Sequence, residues 1–134
     1  FLDGVFNNGL SKACMNKDLT GFYAIVTGAN RGIGYEITKF MVSHGCNVIL
    51  ACRNESKAKQ AISSITTDLS SVTKSPAIKP GKMRFIELHL DNLDSVKQFI
   101  KTYKSLNLPL HFLINNAAYQ TVKYEFTADK FEKC

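Results

Sequence analysis

Three glycines follow a threonine at fixed intervals in the turn Thr27-Gly28-Ala29-Asn30-Arg31-Gly32-Ile33-Gly34. The apolar, β-prone run Phe22–Val26 precedes this turn and predicts a strand that is covered on both faces. After the turn, apolar positions recur at helical spacing at Ile33, Ile37, Phe40, Met41 and His44. Gly45 then provides a C-terminal stop for the predicted helix. The turn therefore connects a strand to a helix, which restricts the chain to folds that alternate the two.

A glycine-rich turn between a strand and a helix is suited to binding phosphate. Glycine lets the backbone turn tightly and lets an anion approach without a Cβ in the way, and the helix start offers unpaired N–H groups and the positive end of its dipole. The spacing Gly-xxx-Gly-x-Gly differs from the Gly-x-Gly-x-x-Gly of the common dinucleotide fingerprint. An ordinary turn without a ligand is the alternative, but the surrounding strand and helix favour a nucleotide-diphosphate site.

Strands and helices continue to alternate along the rest of the chain. Strands are predicted at Asn47–Cys52, Met83–Leu90 and Leu110–Ile114, and helices at Glu55–Leu69 and Leu93–Tyr103. The order β-α-β-α-β-α-β predicts an α/β fold of the Rossmann type, a doubly wound parallel sheet that is incomplete. Residues 1–19 are interpreted as an N-terminal arm or linker, residues 20–134 as the domain, and residues 70–82 as a loop. The fourth strand is expected to form an edge within this chain.

Two arginines lie where the ribose of a bound nucleotide is expected. Arg31 is inside the glycine turn, and Arg53 with Asn54 follows the second strand. Sites for NAD carry an acid about 20 residues past the turn, and Glu55 is the first acid after that strand, where the next helix begins. Guanidinium groups bind a 2′-phosphate through charge-assisted, bidentate hydrogen bonds. NADP is therefore favoured over NAD, the alternative being two solvated surface charges.

Length and charge narrow the possible functions. A chain of 134 residues that is 45% hydrophobic can form one domain with one core. The net charge is +6, but the lysines are scattered and no basic block with interleaved aromatic residues occurs. A basic nucleic-acid-binding domain is therefore a less favoured alternative. No apolar run approaches the roughly 18 residues needed to cross a membrane.

The cysteine and histidine residues do not form a recognisable metal site. The chain contains Cys14, Cys46, Cys52 and Cys134, with no Cys-x-x-Cys pair. His44, His89 and His111 occupy predicted helix or strand positions, where structural roles are expected. Reduced core cysteines indicate a cytoplasmic location, although the chain does not begin with Met and an upstream targeting segment is compatible with it.

The turn Thr27–Gly34 resembles the cofactor turn of the short-chain dehydrogenase/reductase family, Thr-Gly-xxx-Gly-Ile-Gly, at every fixed position. The resemblance runs from about Thr20 to Glu132. Within the family the chain is similar to the retinol-dehydrogenase-like branch and its WW-domain-containing oxidoreductases. The segments that carry this similarity are Asp3-Gly4, Asp18–Gly21, Val26–Asn30, Val48–Asn54 and Asn116–Ala118. The WW modules themselves are not in this chain.

The resemblance implies an NADP-binding site at the ends of the strands. The implied cofactor-binding residues are Thr27, Gly28, Asn30, Arg31, Gly32, Ile33, Gly34, Arg53, Asn54, Asp91, Asn92, Asn116, Ala117 and Ala118. In the family, an Asp at the position of Asp91 contacts adenine, but from sequence Asp91 is equally suited to cap the helix that follows. Ala118 replaces the last glycine of the family's Asn-Asn-Ala-Gly, which is tolerable if its φ is negative.

The resemblance also implies chemistry that this chain does not contain. The family uses a Tyr-xxx-Lys pair on one helix face, with a Ser and an Asn, to protonate the developing alkoxide. Tyr119-xxx-Lys123 matches the spacing, but it follows Ala118 directly and contains the β-branched Thr121 and Val122, so a catalytic role is rejected. Residues 127–132 resemble the start of the next helix. The catalytic residues are expected beyond Cys134, and none is assigned within the chain.

We therefore expect the chain to be the NADP(H)-binding portion of an oxidoreductase acting on CH–OH groups. The resemblance implies interconversion of a hydroxyl and a carbonyl on an apolar substrate such as a retinoid or steroid. Whether this chain is itself an enzyme stays open, and a full-length protein could form a homo-oligomer. The alternative from another class is a non-catalytic nucleotide-binding or scaffold protein that has lost the catalytic half.

Overall fold

A computed structural model describes residues 17–72, 78–120 and 124–132 of the chain. The elements in these ranges are β1 (Tyr23–Thr27), α1 (Gly32–Ser43), β2 (Asn47–Cys52), α2 (Glu55–Val72), β3 (Met83–Glu87), α3 (Leu93–Ser105) and β4 (Phe112–Ile114). The strands pair in parallel in the order β3-β2-β1-β4. The predicted Rossmann-type alternation around a parallel sheet is confirmed.

Both faces of the sheet are covered by helices. One face packs against α1 and α2 in a cluster that includes Val26, Val48, Leu50, Met41 and Ala58. The opposite face packs against α3 through Ile25, Ile49, Ile86, Phe99 and Tyr103. Successive residues of β2 point to opposite faces and both faces are buried, so this strand is a continuous apolar run in the sequence.

The structure moves several predicted element boundaries. β3 ends at Glu87 rather than Leu90. The Leu88 N–H makes the last bond to the neighbouring strand, to the Cys52 carbonyl (3.2 Å). The chain then leaves the sheet, because the His89 N–H donates to the Ser95 hydroxyl of α3 (2.9 Å). α2 continues past Leu69 to Val72. β4 is three residues long and begins at Phe112 rather than Leu110.

The buried face of α1 differs from the predicted apolar stripe. Ile33 is 74% exposed and Phe40 is 42% exposed, while the buried residues are Gly34, Thr38, Met41 and Val42. The Thr38 hydroxyl can be buried because it donates to the Gly34 carbonyl within the helix (2.8 Å). A polar residue and a glycine therefore occupy the contact face, which hydrophobic periodicity alone does not reveal.

The expected helix start at residues 127–132 is wrong. Phe126 and Glu132 instead form an isolated antiparallel bridge, and the Thr127 N–H donates to the Phe131 carbonyl (2.7 Å). Lys130 has a φ of 64°, in the left-handed region that a right-handed helix cannot include. This segment is a closed turn.

Some of the expectations concern residues outside the described ranges. They are the arm up to residue 16, Cys14, residues 73–77 of the predicted loop, Cys134, and residues 121–123 with Lys123 of the Tyr119-xxx-Lys123 match. Cys46 and Cys52 are buried free thiols, as predicted. Burial raises the pKa of each of these thiols to about 11, so both are neutral at physiological pH.

β4 forms one edge of the described sheet, as predicted. Its Phe112 is 36% exposed and its Leu113 is 56% exposed, and the run Leu110–Ile114 contains no acidic residue, lysine or arginine. The opposite edge, β3, carries Arg84 and Glu87. Charges protect an edge strand against pairing with another chain, and β4 lacks them.

We therefore predict that the chain self-associates through β4. Leu113→Lys places a charge on the unprotected edge and should shift sedimentation-velocity profiles toward monomer. Leu90→Lys is the matched control, because Leu90 is 55% exposed but lies outside the strands, and it should leave association unchanged. A wild-type chain that stays a monodisperse monomer over a wide concentration range would contradict the prediction.

Candidate functional site

The carboxyl ends of all four strands lie at the same edge of the sheet. The registers pair Thr27 with Ala51, Val26 with Ile114 and Cys52 with Glu87. The segments that follow these strands, including those that contain the predicted site residues, therefore lie together at this edge, and we call the space that they border the crevice. The sheet order reverses between β1 and β4, and open α/β sheets bind their ligands at such a switch point.

The three glycines of the turn are needed for two different reasons. Gly28 and Gly32 have φ values of 65° and 55°, which favour glycine. Gly34 is needed for space, because a Cβ there would lie 2.5 Å from the Asn116 side-chain nitrogen and 2.5 Å from the Gly28 carbonyl oxygen. A Cβ on Gly32 would meet no atom of the described chain within 4 Å. The turn is therefore tightly packed toward β4 and open at Gly32.

The amino end of α1 has no side-chain cap. Arg31 occupies the N-cap position with extended backbone, no side chain accepts a hydrogen bond from the first turn, and that turn contains no acidic residue. The other two helices are capped by asparagine: Asn54 Oδ1 accepts from the Lys57 N–H at α2, and Asn92 Oδ1 accepts from the Asp94 and Ser95 N–H groups at α3. Within the described part of the chain, α1 alone has neither a capping side chain nor an acidic residue in its first turn, and this suits its amino end to bind an anion.

Thr27 and Asn116 join the glycine turn to the segment after β4. The Thr27 hydroxyl accepts from the Asn116 N–H (3.0 Å) and the Ala117 N–H (2.9 Å), and donates to the Ile114 carbonyl (3.3 Å). The Asn116 side chain donates to the Thr27 carbonyl (2.9 Å). These bonds engage the predicted site residues Thr27 and Asn116 within the protein, so both shape the crevice by holding its two sides together.

The two predicted phosphate-binding arginines are available to a ligand. Arg31 and Arg53 are both exposed, and neither forms an ion pair with a carboxylate of the described residues. Asn54 is also exposed, but its side chain caps α2. Two uncompensated guanidinium groups at the strand ends favour an anionic ligand over a neutral one.

The structure separates the two interpretations of Asp91. Asn92, and not Asp91, is the N-cap of α3, so the capping interpretation is wrong. Asn is as effective a cap as Asp, and Asn92 directly precedes the first helical residue, so the sequence did carry this signal. Asp91 is half-buried in the turn between β3 and α3, where the adenine contact remains a prediction.

Ala117 and Ala118 are exposed after β4. Within the described residues, positive φ values outside glycine occur at Asn107 and Lys130, so Ala118 takes a backbone conformation that tolerates its Cβ. Alanine can therefore replace the last glycine of Asn-Asn-Ala-Gly at this position, because its φ is not positive.

A second Tyr-xxx-Lys spacing, Tyr35-xxx-Lys39, lies on α1. The Lys39 ammonium binds the Asp68 carboxylate of α2 at 2.6 Å. Burial, with the charge of Asp68, raises the pKa of Tyr35 above its ordinary value. A proton donor for an alkoxide needs the opposite shift, so this pair is a structural link between the helices.

Neither a metal-binding cluster nor a membrane-spanning helix occurs among the described residues. Within residues 17–72, 78–120 and 124–132, no group of three His, Cys, Asp or Glu side chains could hold a metal ion. In the same ranges, no helix is both long and apolar enough to cross a membrane.

Comparison with known sequences identifies the type of protein that carries this site. The family described as short chain dehydrogenase matches residues 23–134. A WW domain-containing oxidoreductase from Danio rerio is 39% identical over 126 residues, which is 94% of this chain and 28% of that protein. A human polyprenol dehydrogenase is 38% identical over 110 residues, which is 82% of this chain and 31% of that protein. The chain thus spans less than a third of the length of these two relatives.

Solved structures show the same arrangement of strands and helices. A metagenomic short-chain oxidoreductase in complex with NADP has a TM-score of 0.63 at 26% identity, over 77% of this chain and 42% of that chain. Menthone neomenthol reductase from Mentha piperita has a TM-score of 0.62 at 34% identity, over 75% of this chain and 32% of that chain.

The link between Thr27 and Asn116 can be tested by stability. Thr27→Val keeps the side-chain volume but removes the acceptor of two N–H groups, and should lower the free energy of unfolding by about 1–3 kcal/mol in urea titrations. Thr38→Val is the matched control, since it removes only a hydroxyl bonded within its own helix, and should stay within about 1 kcal/mol of wild type. Equal losses for the two variants would argue against the link.

Proposed function

The chain belongs to the short chain dehydrogenase family, and on this basis we propose that it is the NADP(H)-binding portion of an oxidoreductase. The observation that carries the proposal is the uncapped amino end of α1 behind the glycine turn. A diphosphate at this position would receive hydrogen bonds from the first amides of α1 and would lie at the positive end of the helix dipole. The open space beyond Gly32 suits the close approach of such a group.

The rest of the crevice would supply contacts along an extended dinucleotide. Arg31 and Arg53 would bind the 2′-phosphate, which favours NADP over NAD. Asp91 would contact the adenine, and the segment Asn116–Ala118 would border the opposite end. The metagenomic relative in complex with NADP supports this choice of cofactor.

The proposed reaction interconverts a hydroxyl and a carbonyl on an apolar substrate. NADP(H) supplies or accepts the hydride when it is bound, and the residues of this chain hold and orient it. The name of the human relative, a polyprenol dehydrogenase, supports an apolar alcohol as the substrate. The Tyr35–Lys39 pair does not meet the requirements of a proton donor, because Lys39 binds Asp68 and the pKa of Tyr35 is raised. We propose that the donor lies outside the described residues.

A nucleotide-binding protein without catalysis is the second candidate, because it needs only the proposed cofactor crevice. Reduction of an apolar aldehyde or ketone by the whole protein would exclude it, whereas NADPH binding without turnover would favour it. For either function we propose a reducing compartment such as the cytoplasm, in keeping with the free thiols of Cys46 and Cys52.

Cofactor choice tests the assignment of Arg53. Arg53→Ala should weaken NADPH binding about 10- to 100-fold, because charge-assisted hydrogen bonds to the 2′-phosphate are lost. NADH lacks this phosphate, so its affinity should change by less than about two-fold. Isothermal titration calorimetry of the wild-type chain and of Arg53→Ala gives the NADPH/NADH affinity ratio of each.

The matched control is Arg84→Ala, which removes another exposed arginine near the amino end of β3, away from the carboxyl ends of the strands. It should leave the ratio at its wild-type value. If Arg53→Ala also leaves the ratio unchanged, the 2′-phosphate is bound elsewhere or not at all.

A further inference from the structure

We infer that Asp129 is a positioning residue of the cofactor crevice: its carboxylate fixes the start of α3 and, through it, the turn that carries Asp91. The inference rests on the proposed NADP(H)-binding function. The contact that carries it is a hydrogen bond from the Leu93 N–H to Asp129 Oδ2 at 2.8 Å, between residues 36 positions apart.

The four amides of residues 93–96, at the start of α3, all have acceptors. Three of these bonds go to Asn92, and the fourth goes to a residue distant in the sequence. Asn92 Oδ1 accepts from the Asp94 N–H (2.9 Å) and the Ser95 N–H (3.1 Å), and the Asn92 carbonyl accepts from the Val96 N–H (3.2 Å). The remaining amide is that of Leu93, which Asp129 satisfies. The carboxylate also lies at the positive end of the α3 dipole, where a negative charge is stabilising.

The turn before α3 is held at both ends. On the sheet side, the Leu88 N–H donates to the Cys52 carbonyl (3.2 Å) and the His89 N–H donates to the Ser95 hydroxyl (2.9 Å). Where the turn enters the helix, Asp129 binds the next amide after Asn92. Loss of Asp129 would therefore remove one of the bonds that hold the end of the turn adjoining Asp91, while the Asn92 N–H would still donate to the His89 carbonyl (3.3 Å).

The segment that carries Asp129 is itself a closed turn. Phe126 bridges Glu132, the Lys130 N–H donates to the Thr127 carbonyl (3.0 Å), and the Phe131 N–H donates to the Thr127 hydroxyl (3.1 Å). This segment follows β4 and the Asn116–Ala118 segment along the chain. The Asp129 contact thus connects the part of the chain that follows β4 to the turn that follows β3, and these two regions flank the proposed crevice.

Removing the carboxylate should weaken ligands that reach the adenine end. Asp129→Ala should lower the affinity for NADPH and for 2′,5′-ADP by the same factor, about three- to ten-fold, which is the size expected for losing a helix cap. Equal losses for the two ligands would locate the effect at the end they share. Asp129→Asn keeps an acceptor oxygen and should stay within about two-fold of wild type.

Asp94→Ala is the matched control. Asp94 lies in the same helix turn and binds Lys97 at 2.9 Å, but its side chain accepts from no backbone amide in the described contacts. Its removal should leave both affinities within about two-fold of wild type. Titration calorimetry of the four chains, at a temperature where all are folded, gives the affinities, and hydrogen exchange of the Leu93 amide without ligand reports the contact itself. Exchange should be faster in Asp129→Ala than in wild type.

Three results would overturn the inference: wild-type affinities in Asp129→Ala, an equal loss in Asp94→Ala, or unchanged exchange at Leu93. A wild-type chain that binds neither ligand would instead overturn the proposed function, and the inference with it. Ligand binding by the wild-type chain therefore separates the two failures.

Discussion

The close approach of α1 to the ends of β1 and β4 at Gly34 determines the geometry of the crevice. A Cβ at this position would lie 2.5 Å from both the Gly28 carbonyl oxygen and the Asn116 side chain, so only glycine fits without movement. This contact allows Asn116 to reach the Thr27 carbonyl and the Thr27 hydroxyl to accept two amides from the segment after β4. The strand ends, the turn and the helix start are therefore fixed as one unit.

The capping of the helices explains where a ligand can bind. Asn54 and Asn92 satisfy amides at the starts of α2 and α3, and Asp129 adds a further acceptor at α3. The first turn of α1 has neither a capping side chain nor an acidic residue. Unpaired amides at a helix start are tolerable when water or an anion accepts from them. The same local chemistry thus stabilises two helices and leaves the third open to the diphosphate of the proposed cofactor.

The parts of the fold that depend on local pattern were predictable from the sequence. The bounds of β2 were correct because a strand buried on both faces is apolar throughout, and the glycine turn has a fixed spacing. The face of α1, the cap of α3 and the turn at residues 127–132 were not predicted. Gly34 and Thr38 form a contact face because of partners in other elements, and Asp129 binds an amide 36 residues away. Such contacts produce no periodic pattern in the sequence. The cap of α3 was different, because Asn92 is a typical capping residue, but the neighbouring Asp91 was an equally good candidate.

Backbone amide shifts test the central claim most directly, namely that the uncapped start of α1 binds the diphosphate of NADP(H). In a titration of the ¹⁵N-labelled chain with NADPH, the amide resonances of Gly32, Ile33 and Gly34 should shift together and saturate with one affinity. Their protons should move downfield, as expected for amides that gain a phosphate acceptor. If these three resonances stay in place while others shift, or if nothing saturates, the diphosphate does not bind at α1.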